Sequence, residues 1–195
     1  FATGLRSVLR QDPDILMVGE VRDYETASMA IQSALTGHLV FSTLHTNDAP
    51  SAITRLLDMG VEPYLIASSL IAVMGQRLVR VICSHCKEEY EPEQAILDDI
   101  RVKREQLKNG KVARGRGCSH CRQTGYRGRT GIFELFLLTP YAKEQIMNRE
   151  NATRIKQDAV SKDQHMRTMH IDGVDKIING ITTIEEVMAH TTLEE

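Results

Sequence analysis

Three groups of side chains in this sequence have the types and spacing for chemistry. Gly19, Glu20, Arg22 and Asp23 crowd the end of a short apolar run, Ile15-Leu16-Met17-Val18, that follows the turn Asp12-Pro13-Asp14. Thr43 and His45 crowd the end of a second run, Leu39 to Leu44. Cys83-Ser84-His85-Cys86 and Cys118-Ser119-His120-Cys121 are near copies of one another. A carboxylate such as Glu20 can take a proton or polarise water near a magnesium ion. An imidazole such as His45 can hydrogen-bond a phosphate oxygen. Two Cys-x-x-Cys turns that point their thiolates at one ion complete a tetrahedral four-sulfur site. The plainer alternatives are a buried strand with a solvated charged turn, and four free thiols or redox pairs.

Around these groups, helix and strand patterns alternate along the chain. Leu5, Val8 and Leu9 fall on one face of an expected helix over 1–11. The unbroken run 15–18 fits a strand buried on both faces. Asp23 caps a helix whose apolar residues Ala27, Ala30, Ile31, Ala34 and Leu35 keep helical spacing, with Gly37 as its stop. A strand over 39–44 follows. Asn47 or Asp48 then caps a helix with Ala52, Ile53, Leu56 and Leu57 inward and Gly60 as its stop. Pro63 opens an apolar helix expected to reach about Leu78. The order predicts a parallel sheet covered by helices. Ligands of such sheets bind outside the carboxyl ends of the strands, where Gly19, Glu20, Thr43 and His45 converge if the two strands are parallel neighbours. His38 lies at the start of its strand, roughly 20 Å from the far end at about 3.3 Å per residue, which keeps it from the same phosphate.

At this point the chain resembles a known family. Asp12-Pro13-Asp14-x4-Gly19-Glu20-x-Arg22-Asp23 is similar to the Walker B element of the secretion ATPase superfamily, and Thr36-Gly37-His38-Leu39-Val40-x-Ser42-Thr43-Leu44-His45-Thr46-Asn47 to its histidine box. Together they resemble the motors of type II secretion and type IV pilus assembly. The resemblance implies an α/β fold: the C-terminal half of a RecA-like P-loop NTPase core, a tetracysteine zinc insertion and a helical C-terminal subdomain. It implies ATP with magnesium, Glu20 near the metal and the attacking water, and His45 as sensor of the γ-phosphate. Gly19, Arg22, Thr43 and Arg129 are the nucleotide-binding candidates. The family also counts His38 in its motif; its readings are a hydrogen-bonded surface or interface histidine, or a group that acts across a subunit boundary. No G-x-x-x-x-G-K-S/T phosphate loop is present. The phosphate-binding lysine and the general base are expected upstream of Phe1, so that this part alone is inactive.

The cysteine pairs are separated by 31 residues. Zinc held by Cys83, Cys86, Cys118 and Cys121 is the expected occupant; four thiolates leave no open position for water, so its role is structural. Type II secretion ATPases carry a similar tetracysteine insertion, which favours the secretion or pilus-assembly branch. Pro92 to about Leu107 reads as a charged helix. From Lys111 to Arg129 there are six basic residues and no acidic one. That run is either a solvated face or a contact for anionic lipid headgroups or an acidic partner. A nucleic-acid binder typically interleaves aromatics for stacking, and only Tyr126 is available. Arg129, in Gly128-Arg129-Thr130-Gly131, either stacks on adenine or sits in a simple turn before a strand over 132–137. A helical tail follows, with caps at Thr139, Asn151 and Thr183.

An apolar share of 42% supports a real core, and a net charge of −2 excludes a wholly basic nucleic-acid binder. The longest uncharged apolar segment, 63–76, is too short to span a membrane. The chain begins at Phe1 without an initiator methionine or a secretory leader, and is read as a piece of a longer cytoplasmic protein. The domain expectation is 1–80 for the second half of the ATPase core, 81–131 for the zinc insertion and 132–195 for the return strand and helices. The implied function is ATP hydrolysis that powers pseudopilus assembly in type II secretion. The implied partners are further copies in a hexamer and the inner-membrane secretion platform, with peripheral contact at the membrane's cytoplasmic face and no nucleic acid. The alternatives are a type IV pilus assembly motor, a conjugation or DNA-packaging motor, or a zinc-ribbon module that docks protein or nucleic acid.

Overall fold

A computed structural model describes residues 4, 7, 8, 11–162 and 166–191. Gly4, Ser7 and Val8 are helical; Leu5 and Leu9, on which the first expected helix also rests, lie outside the described residues. Strand β1 (Ile15–Val18) pairs in parallel with β2 (Leu39–Ser42), with Ile15 opposite Leu39 and Val18 opposite Ser42. Helix α1 (Tyr24–Leu35) crosses between them. Its start is set by Asp23, whose carboxylate accepts the Thr26 N–H at 2.9 Å. Its end is set by Gly37 at φ +103°, a conformation that glycine adopts without strain.

Helices α2 (Ser51–Asp58) and α3 (Pro63–Ser69) follow. The helix expected from Pro63 to Leu78 stops at Ser69, and strand β3 (Ala72–Ile82) takes over. A short apolar run cannot by itself separate a buried helix from a strand. Here Val73, Val79, Val81 and Ile82 are β-branched, and β3 finds a partner in β6 (Tyr126–Leu137) far along the chain. Between them, β4 (Lys87–Tyr90) and β5 (Val112–Gly115) form an antiparallel pair.

The charged helix expected over 92–107 is also shorter. Helix α4 covers only Gln94–Asp99. Arg101 then adopts φ +54°, and the Val102 N–H bonds the Leu97 carbonyl. That turn drops Val102 and Leu107 into the same core as Leu97 and Ile100. The tail forms α5 (Pro140–Met147), α6 (Ala152–Ser161), α7 (Met169–Ile178) and α8 (Ile184–His190). Thr139, Asn151, Thr168 and Thr183 cap them through their side chains.

Two compact units result. One comprises Phe1–Met74 with Leu135–Met166, and the other Gly75–Glu134 with Arg167–Glu195. The core of the first joins Val21, Ile31, Ile53, Ile66, Phe136, Ile146 and Ile155. The core of the second joins Leu97, Ile100, Leu107, Val112, Ile177 and Val187. Strand β1 is covered on one side only: Leu16 and Val18 are buried, whereas Ile15 and Met17 are 62% and 79% exposed. This corrects the expectation of burial on both faces. Leu39 and Phe41, which pair with Ile15 and Met17, are exposed as well.

Candidate functional site

The chain leaves β1 and β2 side by side because the two strands are parallel and in register. Two bonds then tie their ends together. The Val21 N–H donates to the Thr43 carbonyl at 3.0 Å. The Thr43 hydroxyl donates to the Gly19 carbonyl at 2.7 Å. Val21 is buried, whereas Glu20 on one side of it is half-buried and Arg22 on the other is exposed. Glu20 Oε2 lies 3.3 Å from His45 Nε2 and accepts a 2.5 Å bond from Arg22 Nε. Gly19, Glu20, Arg22, Thr43 and His45 therefore form one cluster at the carboxyl ends of the pair. His45 and Arg22 are largely exposed, and Glu20 is partly covered.

The electrostatics favour an ionised Glu20. The hydrogen bond from Arg22 holds its carboxyl below the usual range; burial opposes this, and the charges of Arg22 and His45 add to it. Arg22 is pushed up in turn, chiefly by the same hydrogen bond. An ionised carboxylate accepts hydrogen bonds and can take a proton. It is also a hard oxygen ligand of the kind magnesium takes. His38 stands at the opposite end of β2, where its Nδ1 lies 3.0 Å from the Ser33 carbonyl and 3.2 Å from the Thr36 hydroxyl. Arg129 is exposed on β6, within the second unit.

The four cysteines converge in the second unit. Their sulfurs all lie within 4.8 Å of one another. Cys83 to Cys118 is 3.9 Å, Cys86 to Cys121 is 3.8 Å and Cys118 to Cys121 is 3.7 Å. A tetrahedral zinc ion with bonds of about 2.3 Å requires sulfurs roughly 3.8 Å apart, so the residues present fit zinc. A disulfide would need about 2.05 Å. The N–H groups of Cys118 and Gly125 each point at Cys121 Sγ at 3.2 Å. Burial opposes the Cys121 thiolate, but those two donors together with the thiols of Cys118 and Cys86 outweigh it and bring this thiol down to about 6. Burial pushes the Cys86 thiol up to about 12.

The turns carrying the sulfurs are locked by backbone. Gly115 packs so closely on Gly125 that an added Cβ would stand 2.0 Å from the Gly125 carbonyl oxygen. Gly125 in turn accepts the Cys83 N–H at 2.9 Å.

Three features had little or no signal in the sequence. His85 and His120 stack, with ring centroids 4.0 Å apart. Arg80 bonds Glu186 through Nε at 2.8 Å and lies 4.0 Å over the Tyr126 ring. Arg22 reaches back to Glu20; the i, i+2 spacing on extended chain was the available clue to that contact.

A model of the Type II/IV secretion system protein family matches residues 1–189. The chain is 50% identical over 193 residues to the type II secretion system ATPase E of Vibrio cholerae, covering 98% of this chain and 37% of that protein. It is 48% identical over 191 residues to the type IV pilus assembly ATPase PilB of Thermus thermophilus, covering 98% of this chain and 21% of that protein. It therefore spans about a fifth to two fifths of the length of these relatives. Among solved structures, the pilus retraction motor PilT with bound ADP is similar at a TM-score of 0.66 and 25% identity, over 98% of this chain and 43% of that one. The Legionella pneumophila ATPase DotB shares the fold at a TM-score of 0.62 and 21% identity, over 96% of this chain and 41% of that one.

Proposed function

We propose, from the premise that this chain belongs to the Type II/IV secretion system protein family, that it is the C-terminal part of an ATP-hydrolysing motor that drives pseudopilus assembly in type II secretion. One observation carries the reading: Glu20 and His45 leave neighbouring parallel strands and meet at 3.3 Å. ATP hydrolysis needs water to attack the γ-phosphorus in line while charge on the phosphoryl oxygens is stabilised. Glu20 holds the attacking water and accepts from it. His45 donates to a γ-phosphate oxygen. The ties between Thr43 and Gly19, and between Val21 and Thr43, fix the two strand ends so that both side chains work on one phosphoryl group. Magnesium, when bound near Glu20, would neutralise charge on the β- and γ-phosphate oxygens. Gly19 and Thr43 line the nucleotide side.

As functional segments, 1–80 serve as the second half of the RecA-like core, 81–131 as the cysteine insertion, and 132–195 as the return strand and helical tail. Zinc at Cys83, Cys86, Cys118 and Cys121 holds the insertion. Copies of the chain assemble as a hexamer on the cytoplasmic face of the inner membrane, against the secretion platform. Among the described residues no helix is long and apolar enough to cross a membrane, so that contact would be peripheral. Type IV pilus assembly motors match the chain about as well as type II secretion ATPases do. The reading of Glu20 and His45 is common to both.

The test is Glu20→Gln in the intact motor. It keeps the shape and removes the negative charge. Turnover is expected to fall by about a hundredfold or more, with zinc content and thermal unfolding unchanged. Wild-type turnover in that variant would remove Glu20 from the mechanism.

A further inference from the structure

Arg22 is held between two anchored neighbours. On one side, Val21 is buried and its N–H is bonded to the carbonyl of Thr43, the residue that follows β2. On the other, Asp23 caps α1 through the Thr26 N–H and hydroxyl. The Arg22 backbone therefore has little freedom, and its guanidinium folds back onto Glu20. Both Arg22 Nε and His45 Nε2 approach the same oxygen, Oε2. Among the described residues, no hydrogen-bond or ion-pair partner reaches Glu20 Oε1. A charge-assisted hydrogen bond at one oxygen biases the carboxylate's orientation and leaves Oε1 as the oxygen open to another group.

We propose that Arg22 is a positioning residue: it grips Oε2 of Glu20, leaves Oε1 as the oxygen offered to water or magnesium, and does not itself touch the nucleotide. This rests on the reading of Glu20 given above and departs from the resemblance, which places Arg22 among the nucleotide-binding candidates. Loss of the grip lets Glu20 sample orientations in which Oε1 no longer faces the reacting water. The chemical step slows, while the contacts that bind ATP are untouched.

The experiment compares Arg22→Ala, Arg22→Lys and Glu20→Gln in the intact motor, each checked for wild-type zinc content and thermal unfolding. Two readouts are taken: steady-state kcat and KM, and the equilibrium Kd for a fluorescent, non-hydrolysable ATP analogue with magnesium. For Arg22→Ala, kcat is expected to drop about tenfold to a hundredfold, with KM and Kd within about twofold of wild type. Arg22→Lys restores part of kcat, because an ammonium still attracts the carboxylate but lacks the planar fork. A Kd weakened about tenfold at unchanged kcat would place Arg22 on the nucleotide and overturn the proposal. Wild-type kcat in Arg22→Ala would overturn it too. Wild-type turnover in Glu20→Gln would instead strike the underlying reading of Glu20, so the two failures are distinguishable.

Discussion

Asp158 shows how much of this chain's order rests on single side chains. Its carboxylate is buried on α6 and accepts from Tyr141 at 2.9 Å, Gln145 at 2.8 Å, Arg154 at 3.1 Å and Lys162 at 2.8 Å. The hydrogen bond from Lys162 leads in holding its carboxyl down to about 2; burial opposes, and Tyr141 and Arg154 add to the lowering. An unfolded aspartate titrates near 3.9, so the folded value lies below the unfolded one. The stability this group contributes is present above about pH 4 and fades as pH falls towards 2. Asp158→Asn is therefore expected to melt below wild type at pH 7, with the difference shrinking from pH 4 downwards. A melting difference that stays constant from pH 7 to pH 2.5 would contradict this. Arg154 and Lys162 stand at helix-face spacing from Asp158, but Tyr141 and Gln145 come from α5, whose packing on α6 no local pattern reveals. Glu20 and His45 did stand out, since each lies within two residues of the end of an apolar run and parallel strands in register carry those ends to one place.

At the scale of elements, the cysteine turns depend on a contact between two glycine backbones. A Cβ at Gly115 would meet the carbonyl oxygen, carbonyl carbon and Cα of Gly125 at 2.0 to 2.7 Å, and backbone cannot swing aside as a flexible side chain can. Gly115→Ala is expected to cost about 1–3 kcal/mol and to displace Gly125, which bonds both the Cys83 N–H chain and Cys121 Sγ. Bound zinc, measured by elemental analysis after dialysis, should fall from one per chain to well below that. Undiminished zinc in Gly115→Ala would show that the turns do not rely on this contact. The spacing of the cysteines announced the cluster; the glycine pair was silent, because closeness of two backbones leaves no trace in hydrophobic periodicity. The same limit explains β3. Its first half carries the apolar density of a buried helix, and only the long-range partner β6 decides the matter. Helix α4 is short for a related reason: a left-handed Arg101, a residue type with no preference for that conformation, turns the chain early.

Over the whole molecule, the alternation of helix and strand was legible, and so was the parallel pairing of β1 and β2. The division into two units was not. Strands β3 and β6 each run from one unit into the other, and the helical tail is shared, with α5 and α6 in the first unit and α7 and α8 in the second. The outward face of β1 and β2, carrying Ile15, Met17, Leu39 and Phe41, is likewise visible only once register is known.

On the function proposed above, a nucleotide's γ-phosphate is cleaved at the Glu20 and His45 cluster. A crystal structure of the intact motor with magnesium and a non-hydrolysable ATP analogue tests it most directly. His45 is expected within hydrogen-bond distance of a γ-phosphate oxygen, with Glu20 reaching the magnesium ion or the water placed to attack. A γ-phosphate seated away from the carboxyl ends of β1 and β2, touching neither residue, would contradict it.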